Sequence, residues 1–146
     1  MISQTGKYAL RILGYLAGHS SQLILGKEIA RATGIPSNYL SKILAQLCKQ
    51  GYVQSQKGWG GGFVLRKDAL QIPILEVVKI FEGPRNEQEC LYGLLQCNAN
   101  QACPLHRHWE TIRSSYAGML QSTTIGDLRL RDLPDAAAES NQNWFL

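Results

Sequence analysis

Several absences narrow this 146-residue chain before any motif is read. No apolar run approaches the roughly 20 residues that cross a bilayer. The N-terminal stretch MISQTGKYALRILGYLAG is apolar-periodic and lacks an unbroken greasy run ending in a small-residue cleavage site. A cytoplasmic protein with no membrane partner is the expectation. No Ser/His/Asp set, paired-carboxylate arrangement or dinucleotide fingerprint stands out, so neither an enzyme nor a small-molecule substrate is expected. Acidic side chains are scarce in one half: residues 1–68 hold two, against nine Lys and Arg, for +7. Residues 69–146 hold nine acidic and six basic side chains, for −3. A basic half beside an acidic one points to a polyanion for the first and a different task for the second. Cysteines number four, with no CxxC pair. Reduced cytoplasmic thiols argue against a disulfide framework and toward metal or redox chemistry.

What is present is organised. Hydrophobic residues make up 45% of the chain, enough for one core. From Thr5 to Ala17, Tyr8, Ala9, Ile12, Leu13, Leu16 and Ala17 recur at three- and four-residue steps, which predicts a helix with one buried face. Leu23-Ile24-Leu25 reads as a small strand. GKEIARATG predicts a short helix stopped by Gly34. SNYLSKILAQLCKQG predicts a longer one, capped by Ser37, stopped by Gly51 and burying Leu40, Ile43, Leu44 and Leu47, with Cys48 as a small core residue. Two helices across a short turn match the helix-turn-helix pattern. YVQSQ and FVLRK, joined by KGWGGG, add a β-hairpin. The expected fold is therefore mainly α with a small β-hairpin wing, a winged helix-turn-helix domain over 1–83. Asn38 and Ser41 share the polar face of the second helix, where Asn can read adenine edges and Ser can meet base or phosphate. The wing glycines allow close approach to a phosphate chain, with Lys57, Arg66 and Lys67 beside them.

After Ile72-Pro73-Ile74, a short helix through Ile80-Phe81 ends at Gly83-Pro84, and PRNEQE reads as a surface connection. Residues 84–103 form the loop that carries Cys90, Cys97 and Cys103. Pro104 is expected to open a helix of about 19 residues to Ser122, within a segment spanning 104–133. Its positions Leu105, Trp109, Ile112, Tyr116 and Met119 step by four and three, a seam for pairing with a second copy or for packing on its own domain. Residues 134–146 read as a polar, mobile tail, in which Trp144-Phe145-Leu146 can dock. Three thiols within fourteen residues, with His106 one helical turn past Cys103, offer four soft donors. They suit an iron–sulfur cluster or a tetrahedral zinc, and the missing CxxC knuckle tilts the choice to iron–sulfur. His108 is expected to face solvent.

Taken together, TGKYALRILGYLA, IPSNYLSKILAQLCKQGYVQSQKGWGGGFVLRKD and the three-cysteine loop followed by PLH resemble the Rrf-type winged helix-turn-helix transcriptional regulators. The likeness is to their iron–sulfur branch of IscR-, NsrR- and RirA-like proteins, and it runs from Met1 to about Leu133. The resemblance implies a cytoplasmic homodimer that binds palindromic double-stranded promoter DNA and pairs through the long helix. It implies Cys90, Cys97 and Cys103 as cluster ligands. His106 falls where the IscR-like branch has its histidine ligand, which favours 2Fe–2S over 4Fe–4S in a cluster that aerobic preparation can strip. Asn38, Tyr39, Ser41, Lys42, Lys57, Trp59 and Gly60 are the DNA-facing candidates. The chain departs from the family at three places. The first cysteine gap is one residue longer than in the IscR-like branch. Lys7 stands where NsrR-like members carry an aspartate ligand. Ser41 stands where the IscR-like branch has a glutamate that influences site choice. The alternative reading is a zinc-stabilised or metal-free winged-helix module, binding DNA or protein without cluster sensing.

Overall fold

A computed structural model describes residues 2–83 and 89–130. Helix α1 (Gln4–Gly18) runs through the centre and buries Ala9, Ile12, Leu13, Leu16 and Ala17, five of the six positions its periodicity marks, while Tyr8 is half-buried. Ser3 caps it, Oγ accepting the Gly6 N–H at 3.1 Å. Helix α2 (Gly26–Thr33) stops at Gly34, whose φ of 67° is the left-handed conformation that glycine adopts without cost. Helix α3 (Ser37–Lys49) buries Leu40, Ile43, Leu44 and Leu47. Its cap position is held by Pro36 rather than Ser37, which is the first helical residue and makes no side-chain cap. The fixed φ of proline already sets the extended entry, so no hydroxyl is needed there.

Strands β1 (Val53–Gln56) and β2 (Gly62–Leu65) pair antiparallel from Val53↔Leu65 to Gln56↔Gly62. The strand expected at Leu23–Leu25 contracts to one bridge: Ile24 and Phe63 exchange backbone hydrogen bonds of 2.9 and 2.8 Å. That bridge fixes the root of the wing to the lead-in of α2. It demands glycine at position 62, where φ is 147° and a Cβ would stand 2.6 Å from the Ile24 carbonyl oxygen.

Helix α4 (Ile74–Glu82) follows Pro73, which sits at the cap position instead of in the first turn. Helix α5 (His106–Ser122) is 17 residues long and starts two residues later than expected, because Pro104 and Leu105 form a turn in which the His106 N–H donates to the Cys103 carbonyl at 3.0 Å. Beyond α5 the chain returns to the N-terminal core. A 3-10 turn over Ile125–Leu128 buries Ile125 completely against the same cluster as Ile12, Leu13 and Val77. Hydrogen bonds from Ile125 N to Ile72 O, at 2.9 Å, and from Leu130 N to Gly14 O, at 3.1 Å, hold it there. A second cluster of Ile74, Val78 and Leu120 joins α4 to α5. No helix among the described residues is long and apolar enough to cross a membrane. The surface connection at 84–88, residues 131–133 and the tail at 134–146 lie outside the described residues.

Candidate metal centre and nucleic-acid interface

Local turns bring the three thiols together. The chain bends at once after Cys90, where the Gly93 N–H donates to the Cys90 carbonyl at 3.0 Å and Gly93 takes a φ of 85°. Asn98 bends it again: its side-chain oxygen accepts the N–H groups of Asn100 and Gln101 at 2.9 and 3.0 Å, returning the chain from Cys97 toward Cys103. The Trp109 indole donates to the Glu89 carbonyl at 3.0 Å and pins the start of the loop to α5. The sulfur atoms of Cys90, Cys97 and Cys103 consequently lie within 4.8 Å of one another. Cys90 Sγ is 3.7 Å from Cys103 Sγ, and Cys97 Sγ is 3.1 Å from His106 Nδ1. All are free thiols. Two sulfurs at about 2.3 Å from a shared tetrahedral metal are themselves about 3.8 Å apart, so the Cys90–Cys103 spacing fits common ligation.

The thiols differ chemically. The Leu94 backbone N–H aimed at Cys90 brings its pKa down to about 7, with smaller help from Tyr92 N–H and the other two sulfurs. Cys97 receives the Cys103 N–H, which lowers it, yet burial and competition from the Cys90 and Cys103 sulfurs outweigh that and leave it raised. One readily ionised sulfur, Cys90, beside a harder-to-ionise one, Cys97, is the pattern of a group that wants a cation. The cleft holding these side chains, of about 200 Å³, is also lined by Glu89, Trp109, Glu110 and Arg113. Cys48 lies apart, half-buried on the core, its thiol pushed up by burial. His108 is exposed.

In the helix-turn-helix region, Asn38, Tyr39, Ser41 and Lys42 are all exposed along α3. Ser41 donates its hydroxyl proton to the Ser37 carbonyl at 2.9 Å, so it meets a ligand as an acceptor. Tyr39 leans edge-on against Tyr8, centroids 6.3 Å apart. Tyr8 in turn lies under Arg11, whose guanidinium reaches the Thr33 carbonyl at 3.2 Å. The sequence did not single out this brace between α1, α2 and α3. In the wing, Lys57, Trp59 and Gly60 are exposed, and Trp59 is fully so at 103%. Arg66 forks onto Asp68 at 3.1–3.2 Å, which spends part of its charge within the chain.

The five seam positions, Leu105 at the cap and four within α5, divide into neighbouring stripes. Tyr116 packs into the Ile74–Val78–Leu120 cluster and Trp109 is half-buried. Leu105, Ile112 and Met119, seven residues apart, stay 40%, 58% and 49% exposed.

Comparison with known proteins bears on both regions. The model of the Rrf2 family, described as an iron-dependent transcriptional regulator, matches residues 2–130. An HTH-type transcriptional regulator of Aquifex aeolicus is 35% identical over 130 residues, covering 88% of this chain and 90% of that one. The HTH-type transcriptional regulator IscR of Cronobacter sakazakii is 30% identical over 128 residues, covering 87% of this chain and 78% of its own. Among solved structures, CymR, the global cysteine regulator of B. subtilis, superposes with a TM-score of 0.69 at 27% identity, over 88% of this chain and 95% of that one.

Proposed function

This chain belongs to the Rrf2 family of transcriptional regulators, and from that membership we propose a homodimer whose promoter affinity answers to an iron–sulfur cluster on Cys90, Cys97, Cys103 and His106. The family's work is DNA binding rather than catalysis. One observation carries the cluster reading: three free sulfurs within 4.8 Å of one another, with an imidazole nitrogen 3.1 Å from one of them. The donors form two close pairs, Cys90 with Cys103 and Cys97 with His106. That pairing favours 2Fe–2S over 4Fe–4S, since each of two irons then takes two protein donors. When bound, the cluster supplies a redox- and nitric-oxide-sensitive crosslink between the loop and α5.

The chain's own contacts give a route from that crosslink to DNA. Trp109 and His106 tie the loop to α5, and Leu120 seats α5 on α4. Glu82, the last residue of α4, accepts the Ser3 N–H and hydroxyl at 2.8 and 2.7 Å, joining α4 to the first turn of α1. Tyr8 of α1 braces Tyr39 of α3. With α5 also the pairing helix, a change at the loop alters the spacing of two recognition helices, the two-state element that allostery requires. On DNA, Asn38 and Ser41 face base edges in the major groove of each palindromic half-site, and Tyr39, Lys42, Lys57, Trp59 and Gly60 hold the backbone. Such a protein acts where the chromosome is, in the cytoplasm.

The test uses oxygen-free protein supplied with iron and sulfide. A brown product with two irons and two sulfides per chain is expected, and His106→Ala is expected to change its visible and Mössbauer spectra. Affinity for a palindrome selected from random-sequence duplex DNA is expected to differ between cluster-bound and cluster-free protein and to fall steeply with salt. Failure to take up iron and sulfide overturns the sensing claim. The compactness of the trio also favours a second reading, one zinc on the same donors. A colourless protein with one zinc per chain and metal-independent DNA binding would establish it.

A further inference from the structure

The histidine of the proposed donor set has two ring nitrogens, and the structure gives each a different neighbour. His106 Nδ1 faces Cys97 Sγ at 3.1 Å. Its Nε2 faces the Glu110 carboxylate, one helical turn along α5, at 3.9 Å. The imidazole is 16% exposed, while Glu110 is 61% exposed and stands at the rim of the same cleft. A neutral imidazole carries one proton on one nitrogen. A carboxylate beside Nε2 favours the proton there and leaves the Nδ1 lone pair free for the sulfur-lined cleft. At 3.9 Å the carboxylate acts on Nε2 by charge, and a hydrogen bond would need the exposed Glu110 side chain to move closer.

We propose that Glu110 is a positioning residue for His106: it selects the Nε2–H tautomer and orients the ring so that Nδ1 is offered to the cofactor. The proposal rests on the reading of His106 as fourth ligand and adds to it the group that makes the ring fit to ligate. The i,i+4 spacing on one helix supplies the geometry, because the two side chains share a face. The neighbouring histidine, His108, is exposed and lacks the contact with Cys97 that constrains His106.

Two measurements test it. In metal-free protein, long-range proton–nitrogen correlation of the histidine rings reports the tautomer. Wild type is expected to hold His106 as Nε2–H. Glu110→Ala is expected to lose that bias, and Glu110→Gln, whose amide oxygen still accepts, to keep most of it. In protein reconstituted with iron and sulfide, iron loss to a chelator is expected to be about 10–100-fold faster in Glu110→Ala, the usual cost of removing an outer partner of a metal-binding histidine. Glu110→Gln should fall between. Glu110 is exposed, so unchanged thermal melting of the variants excludes simple unfolding. An unchanged tautomer in Glu110→Ala would overturn the proposal. Failure of wild type to take up iron and sulfide would remove the ligand reading instead, while the tautomer ratio would still decide whether Glu110 holds the ring.

Discussion

Gly6 illustrates how much one missing methyl decides. It lies inside α1, where alanine ordinarily improves a helix by about 1 kcal/mol. Here a Cβ would stand 2.5 Å from Glu82 Oε1 and 2.6 Å from Ile2 Cγ2. The carboxylate sits at the N-terminus of α1, accepting two hydrogen bonds from Ser3 in the place where a helix favours negative charge. Overpacking therefore outweighs propensity, and Gly6→Ala is expected to destabilise the fold by about 1–3 kcal/mol in denaturant titration. A stabilised variant would show that Glu82 swings away at no cost. The thiols make a pH prediction at the same scale. With Cys90 ionising at about 7 in the fold and at 9.0 in a free thiol, the metal-free folded state gains stability as pH rises from 7 toward 9. It loses that gain as pH falls through 7. Cys97 runs the other way, because its raised pKa means the unfolded chain ionises first above the ordinary value. Mass mapping of iodoacetamide adducts should show Cys90 alkylation rising through pH 7 and Cys97 following at distinctly higher pH. Coincident profiles would contradict the Leu94 hydrogen bond as the cause.

At the scale of elements, periodicity made α1, α2, α3 and the hairpin legible, since their buried faces are regular and their ends carry Gly34, Pro36 or a glycine-rich turn. The start of α5 falls two residues later than expected because Pro104, which usually opens a helix, here lies with Leu105 in a turn while the Cys103 sulfur reaches Cys90. The 3-10 turn at Ile125–Leu128 has too few residues for a period to show. Its local signal was a capping box: Thr124 and Asp127 bond each other's backbone N–H groups and share a hydroxyl–carboxylate bond of 2.8 Å. The trio of cysteines was legible from spacing, but the brace of Arg11, Tyr8 and Tyr39 was not, because it joins three helices at positions that look like ordinary core and surface. Under the proposed function, the exposed faces of α3 and the wing would make separate demands on DNA. Asn38→Ala is expected to cost about 1–3 kcal/mol on the selected operator and little on random duplex, as loss of a base contact does. Lys57→Ala should weaken both alike and reduce the magnitude of the salt slope by about 1, the signature of one lost phosphate contact. Binding titrations at four salt concentrations separate the two outcomes. A sequence-selective effect of Lys57→Ala would reassign it to base reading.

For the whole molecule, the question is what covers α5. Its inner stripe is satisfied within the chain through Tyr116 and Leu120, which leaves Leu105, Ile112 and Met119 in solvent. The cysteine loop adds Leu91, Tyr92, Leu94 and Leu95, each at least 45% exposed. Leu105 at the cap of α5 and Ile112 and Met119 within it, at seven-residue intervals over about 21 Å, lie along one stripe rather than scattered over the surface. Under the proposed homodimer, a second copy with the same seam is the self-complementary partner, and the two-fold pair would present two α3 helices to a two-fold operator. The charge distribution agrees, since the basic half containing α3 and the wing is separate in sequence from the acidic half containing α5. Ile112→Glu places a charge at the middle of the seam, where pairing would bury it unpaired. Sedimentation equilibrium is expected to show wild type as a dimer and Ile112→Glu as a monomer with unchanged helicity by circular dichroism. Because the two half-sites act through one linked pair, affinity for the full palindrome should fall by about 10²–10⁴, while affinity for an isolated half-site stays within a few-fold. A variant that still sediments as a dimer would move the interface elsewhere, and a monomeric wild type would leave the exposed seam to a different partner.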